Sequence, residues 1–264
     1  MISFLKNLPS LKLLSFYTTH ILLGIVHWTH SSCRLQAQSS LEGEVWAGYI
    51  QSVHLGANWS LWNDFHYVPS SFLVGRHGLT YQIPKSMAIS GGYAWLLTAS
   101  PAQPALTRRE SRLWIQAEQF HDLNDLWTLR WRFRYDARYR QNLESGLPIN
   151  SRSLTHRPRF LLGLRYRIYQ FNSSTTLSFN LLNEFIVQHN PTAPLYWVDQ
   201  HRIFMMPTLR YKQHTIMLGP LLRLIPNSSG EFNYRLGPCL LVIQNFRKTK
   251  PSTIPLSEDF LQVP

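Results

Sequence analysis

From Leu126 to Arg140 the chain reads LWTLRWRFRYDARYR. From Arg130 onward every second position is Arg, with Asp136 taking one of the places. Trp131, Phe133, Tyr135, Ala137 and Tyr139 stand between them. Side chains of a β-strand alternate between two faces, so this segment reads as a strand with one cationic face and one bulky apolar face. A helix would mix the two sets. A register slip of one residue would exchange the faces completely, so whatever surrounds the strand fixes its register strongly.

The same period recurs after Glu42. Strand patterns run near 43–53, 58–67, 72–83, 87–98, 109–122, 126–141, 157–171, 175–189, 200–213, 214–225 and 231–246. No long stretch has a helical period, and no linker divides the series. Short connections fall at His54–Ala57, Pro84–Lys85, Leu123–Asp125, Asn172–Ser174 and around Gln213–His214. Longer ones fall at Ala99–Arg108, Asn142–His156 and Asn190–Asp199. Through the middle of the chain the two kinds alternate, which puts short turns at one end of an up-and-down meander and long loops at the other. Outer-membrane barrels have that asymmetry.

Charge follows the alternation. Glu110, Arg112, Gln116 and Glu118 oppose Leu113, Ile115 and Ala117. Arg159, Arg165 and Arg167 oppose Phe160, Leu162, Leu164, Tyr166 and Ile168. Ser178, Asn180, Glu184 and Gln188 oppose Leu177, Phe179, Leu181, Phe185 and Val187. Many segments exceed the nine to eleven residues that cross a bilayer at a tilt, and aromatics collect towards the ends of the apolar faces. The expected fold is therefore all-β: an antiparallel up-and-down transmembrane β-barrel with a polar, Arg/Glu-lined lumen. Eleven segments conflict with the even strand numbers of single-chain bacterial barrels. The expectation is twelve strands, with one added by the C-terminal tail, or ten if one segment is misread.

The lumen network expected from the face pattern comprises Asp64, His66, Arg76, Glu110, Arg112, Glu118, Arg130, Arg132, Arg134, Asp136, Arg138, Arg165, Arg167, Glu184, Arg202 and Arg210. Pairing of the segments at 109–122 and 126–141 as a hairpin would set Glu110 and Glu118 beside the Arg rows, where carboxylates match guanidinium geometry. Asp64 and His66 share a face and are expected to form a hydrogen-bonded lumen pair.

The N-terminus bears on location. Lys6 and Lys12 precede an apolar stretch from Leu13 to Trp28, then a polar segment ending Gln-Ala-Gln, with no acid throughout. This is the pattern of a secretory signal peptide over residues 1–37, with cleavage near Ala37. The barrel domain is then 38–246, and 247–264 is a polar tail. Of the two cysteines, Cys33 and Cys239, only Cys239 remains after cleavage. That excludes a disulfide framework and a cysteine-based zinc site in the mature chain.

Several short motifs occur in order: VWAGY (45–49), RHGLTYQI (76–83), GGY (91–93), ESRLWIQ (110–116), RWRFRY (130–135), RPRFLLGLRYRI (157–168) and LLNEF (181–185). In this set the chain resembles domain-of-unknown-function family 2490, across about residues 43–246. The resemblance implies a bacterial outer-membrane β-barrel and brings no catalytic residue with it. The departure is at the end: such barrels usually finish on an aromatic residue, whereas eighteen residues follow Phe246 here.

No nucleophile elbow, phosphate-binding loop, zinc-protease motif or dinucleotide fingerprint is present. Glu110, Glu118, Asp136 and Glu184 lie among so many cations that they suit salt bridges better than proton transfer. His77 and His201 face outward, the arrangement of membrane phospholipases that carry Ser and His on the lipid side, yet no Ser pairs with either in the sequence pattern. The net charge of +12 invites nucleic acid, but strict alternation keeps the aromatics of each strand off its cationic face. The expected protein is non-enzymatic, without metal or cofactor. Its partners are outer-membrane lipid and small anionic solutes, with no nucleic acid. Its role is structural or the passage of those solutes. Two alternatives stay open at this point: an outer-membrane lipase, protease or deacylase, and a soluble periplasmic barrel that binds a hydrophobic ligand.

Overall fold

The computed structural model describes residues 41–69, 71–83, 87–189, 198–227 and 231–246. The signal region 1–37, the tail 247–264, the Pro84–Lys85 connection and most of Asn190–Asp199 lie outside the described residues. Twelve strands form one sheet: β1 (Leu41–Gly43), β2 (Trp46–Gly56), β3 (Trp59–Val68), β4 (Phe72–Ile83), β5 (Met87–Ala99), β6 (Thr107–Asp122), β7 (Trp127–Glu144), β8 (Leu147–Asn172), β9 (Thr175–Val187), β10 (Val198–Tyr211), β11 (His214–Pro226) and β12 (Phe232–Phe246).

β2 to β12 are the eleven segments read from the sequence, each antiparallel to its neighbours in chain order. β12 then pairs with β2 and closes the ring. An odd ring built by up-and-down turns must contain one pair of strands running the same way. That pair is the β12–β2 seam, parallel from Cys239 opposite Trp46 to Phe246 opposite Val53. The twelfth strand is β1, on the N-terminal side. It runs parallel to the start of β12, Leu41 opposite Tyr234 and Gly43 opposite Leu236, in the register that β2 continues. The ring is thus odd where an even one was expected, and the additional strand found is β1.

The break between β1 and β2 has a local cause. It falls at Glu44–Val45, opposite Gly237–Pro238. Pro238 has no N–H to donate across the seam. A Cβ at Gly237 would lie 1.6 Å from the Glu44 carbonyl oxygen, so only glycine lets the two backbones approach there. The Glu44 N–H donates to the Leu236 carbonyl at 3.2 Å and holds the junction.

The connection expected at Asn142–His156 is not a loop. β7 and β8 continue past the barrel as a hairpin and turn at Ser145–Gly146, with φ of 50° and 80°. Positive φ at both central residues is the hairpin geometry that matches strand twist. Asn142 bonds Ser151 and Ser153 through its side-chain amide at 3.0 and 2.8 Å. Both faces of this extension are largely polar, so it lacks the alternation by which the other strands were recognised.

The outward face is apolar on strand after strand. Leu113, Ile115, Phe133, Phe160, Leu162, Leu181, Met205, Leu209, Ile216, Leu218 and Leu240 are all exposed. On β7, Phe133 is 49% exposed while its neighbour Arg134 is 0%. The Arg face of the opening segment therefore points inward and its aromatic face outward.

Candidate functional site

The interior is packed across its waist. β6, β7 and β8 contribute the ionic wall, because their inward positions carry the Arg rows. Glu118 accepts from Arg130, and Glu110 accepts from Arg112 and from Arg138 at 2.6 and 2.9 Å. Arg134 donates to Asp136 at 2.7 Å. Glu184, arriving from β9, bonds three arginines: Arg132 at 2.6 Å, Arg159 at 3.3 Å and Arg202 at 3.4 Å. A second, apolar wall completes the packing. Ile50, Leu182, Phe204, Met206, Met217, Cys239, Leu241 and Ile243 are buried there, on β2 and β9 to β12. Arg132, Arg134, Phe204, Met206 and Met217 are all fully buried at this level.

Aromatic rings join the arginines from strands other than their own. The Arg134 guanidinium lies 4.8 Å above Trp114, Arg76 lies 5.4 Å from Trp62, and Arg202 and Arg223 lie 5.2 and 5.3 Å from Trp46. Alternation does separate charge from aromatic within β7, but Trp46, Trp62 and Trp114 occupy inward positions elsewhere. Both terminal nitrogens of buried Arg134 have no hydrogen-bond acceptor among the described residues, and the Trp114 face supplies cation–π attraction instead.

Asp64 and His66 meet through a third group. Their closest approach, 3.6 Å, is too long for a hydrogen bond. Arg76 bridges them, donating to Asp64 at 2.6 Å and to His66 Nε2 at 3.1 Å. A guanidinium only donates, so Nε2 accepts. Three expected network members stand apart from this waist. Arg165 and Arg210 line the lower end, bonded to Thr128 at 2.9 Å and Thr176 at 3.3 Å, and Arg167 bonds Gln170 at 3.2 Å.

Arg157, Arg159, Arg223, Glu44 and Asp199 belong to the interior and were absent from the expected network. Arg157 pairs with Asp199, and Arg223 with Glu44 at 2.6 Å. Arg157 and Arg159 share parity with Arg165, so the alternation held the signal. Trp114 likewise shares parity with Glu110 and Glu118. Glu44 sits in the strand break, and Asp199 in a segment read as loop, where parity says nothing.

One short motif does the same work twice. Leu-x-Asn-acid-Phe occurs at 61–65 and 181–185. In each copy the acid turns inward to an arginine of the next strand, Asp64 to Arg76 and Glu184 to Arg202. The asparagine turns outward and accepts from a histidine of that strand, Asn63 from His77 at 2.8 Å and Asn183 from His201 at 3.0 Å. The outward histidines are thus paired with asparagine, not serine. Among the described residues, no group of three His, Cys, Asp or Glu side chains is placed to hold a metal ion.

Among the described residues, a chamber lies on either side of the waist. The upper, at the end of the longer connections, is about 650 Å³ and is lined, among the described residues, by ten arginines and one carboxylate, Asp199. The lower is about 610 Å³, with Asp122, Asp125, Arg165, Arg167 and Arg210 among its lining. Arg132, Arg134, Trp62, Trp114, Phe204 and Met206 line neither.

Fold and interior together define a closed β-barrel with an ion-paired core and an apolar exterior. The chain belongs to the family described as "Protein of unknown function (DUF2490)", which it matches over residues 43–233. No curated protein and no solved structure matches it.

Proposed function

We propose that this protein is a non-enzymatic integral barrel of the bacterial outer membrane, exported by its N-terminal segment, whose salt-bridged waist is a fixed structural plug. One observation carries the reading: the β7 ladder hides its guanidiniums and presents Phe133 and its neighbours outside. Hydrocarbon accepts that exterior without penalty, and water does not. A soluble barrel that binds a hydrophobic ligand would need the opposite arrangement. The two chambers favour a second reading, in which the plug rearranges and small anions pass.

Cell fractionation and reconstitution test both. The chain should stay with membranes through alkaline carbonate, dissolve only in detergent, and migrate faster on gels unheated than boiled. Release into aqueous buffer would reject the membrane reading. In planar bilayers the plugged barrel carries no steady current. A sustained anion-selective current that weakens in Arg132→Glu and Arg134→Glu would replace the plug with the pore.

A further inference from the structure

The upper chamber has two unlike walls, and their chemistry specifies a ligand. On β2, β4 and β5 the lining is largely apolar, with Trp46, Phe72, Val74 and Leu96 beside Arg76 and Thr98, joined by Pro101 and Pro104 of the β5–β6 connection. Trp46 and Phe72 meet edge to face at 4.9 Å, which fixes that wall. On β6 to β8 and β10 to β12 the lining is cationic. Asp64, Glu110, Asp136, Glu184, Glu44 and Glu42 offset many of the ten lining arginines from behind, and with Asp199 they still leave positive charge in excess.

Part of that cationic wall has donors to spare. The Nε–H groups of Arg157, Arg159, Arg223 and Arg235 have no acceptor among the described residues; the atoms are themselves covered, so an anion in the chamber reaches them only when these side chains turn. The first three belong to arginines at least nine-tenths buried. Arg140 is held loosely: the carboxylate within its reach, Glu110, is 3.8 Å away and already bonded to Arg112 and Arg138. Buried donors without acceptors are costly to keep, so they mark a place where an oxyanion would be bound well. The volume is that of pockets that hold small organic ligands.

We propose that the upper chamber binds an amphiphilic oxyanion: a phosphate, sulfate or carboxylate head against the arginines, carried on an apolar body against Trp46, Phe72 and Leu96. A bare inorganic anion fills half of the chamber's chemistry, and a neutral apolar molecule the other half. The inference concerns the chamber alone and holds whether or not the barrel lies in a membrane.

Titration calorimetry of the purified chain in non-ionic detergent tests it with three probes: hexyl phosphate, inorganic phosphate and 1-hexanol, each corrected for empty micelles. Hexyl phosphate should bind at least about tenfold tighter than either of the others, since each buried methylene adds to affinity. Arg140→Gln should weaken hexyl phosphate and inorganic phosphate alike by about tenfold. Leu96→Gln should bring hexyl phosphate down to the strength of inorganic phosphate and leave inorganic phosphate unchanged. Each variant must keep the fast-migrating unheated band; if Arg140→Gln loses it, Arg108→Gln takes its place. Equal binding of hexyl phosphate and inorganic phosphate overturns the proposal, as does no binding, or binding that neither substitution alters.

Discussion

Glu184→Ala is expected to cost the barrel about 3–5 kcal/mol or more, because removing one partner of a buried ion pair strands the other charge. Here three arginines lose the same carboxylate at once. Arg132, Arg159 and Arg202 all donate to Glu184, and none of the four side chains is more than 5% exposed. Total stabilities are typically about 5–15 kcal/mol, so the loss is a large share of the whole. In urea titrations read by gel migration, Glu184→Ala should lose the folded band at concentrations where the parent keeps it. Glu42→Ala is the control. Glu42 pairs with Arg235 at 3.0 Å, but Glu42 is exposed and Arg235 partly so, and such pairs contribute about 0–1 kcal/mol. Equal effects of the two substitutions would mean that the ionic waist does not hold the fold.

The second large effect is on the outside. Phe133 lies mid-strand on β7, opposite Ala117 of β6 and Phe160 of β8. If hydrocarbon covers it, Phe133→Arg should destabilise the folded barrel by about 2–4 kcal/mol, and Tyr139→Arg, nearer the strand end, by clearly less. Exposed to water, the same change falls within about 0.5 kcal/mol at both positions. Refolding into lipid vesicles measures the difference. A cost graded by depth supports the membrane reading, and a flat, small response counts against it.

What the sequence made legible follows from one physical rule. Where a strand has a charged and an apolar face, parity alone places each side chain, so β6 to β9 and most of the network could be read directly. The rule fails where the two faces are alike. The β7–β8 extension is polar on both sides and read as a loop. It also fails where a strand is too short or broken to show a period, as at Leu41–Gly43 and Glu44. Closure was hidden for a different reason: the β12–β2 seam joins residues about two hundred positions apart, and no local pattern records which edges meet. The inward tryptophans were legible by parity, but a tryptophan reads as membrane-facing until a cation from another strand is seen beside it. Asp64 and His66 were rightly put on one face; only the structure brings Arg76 between them.

The central claim is that the apolar exterior touches lipid. Nitroxide labels at Phe133→Cys, Leu162→Cys and Leu218→Cys test it most directly, in vesicles and in a background without Cys33 and Cys239. All three labels should relax strongly with dissolved oxygen, which partitions into hydrocarbon, and be shielded from a water-soluble nickel complex. Ready relaxation by nickel with little response to oxygen at these positions would place the exterior in water and contradict the account.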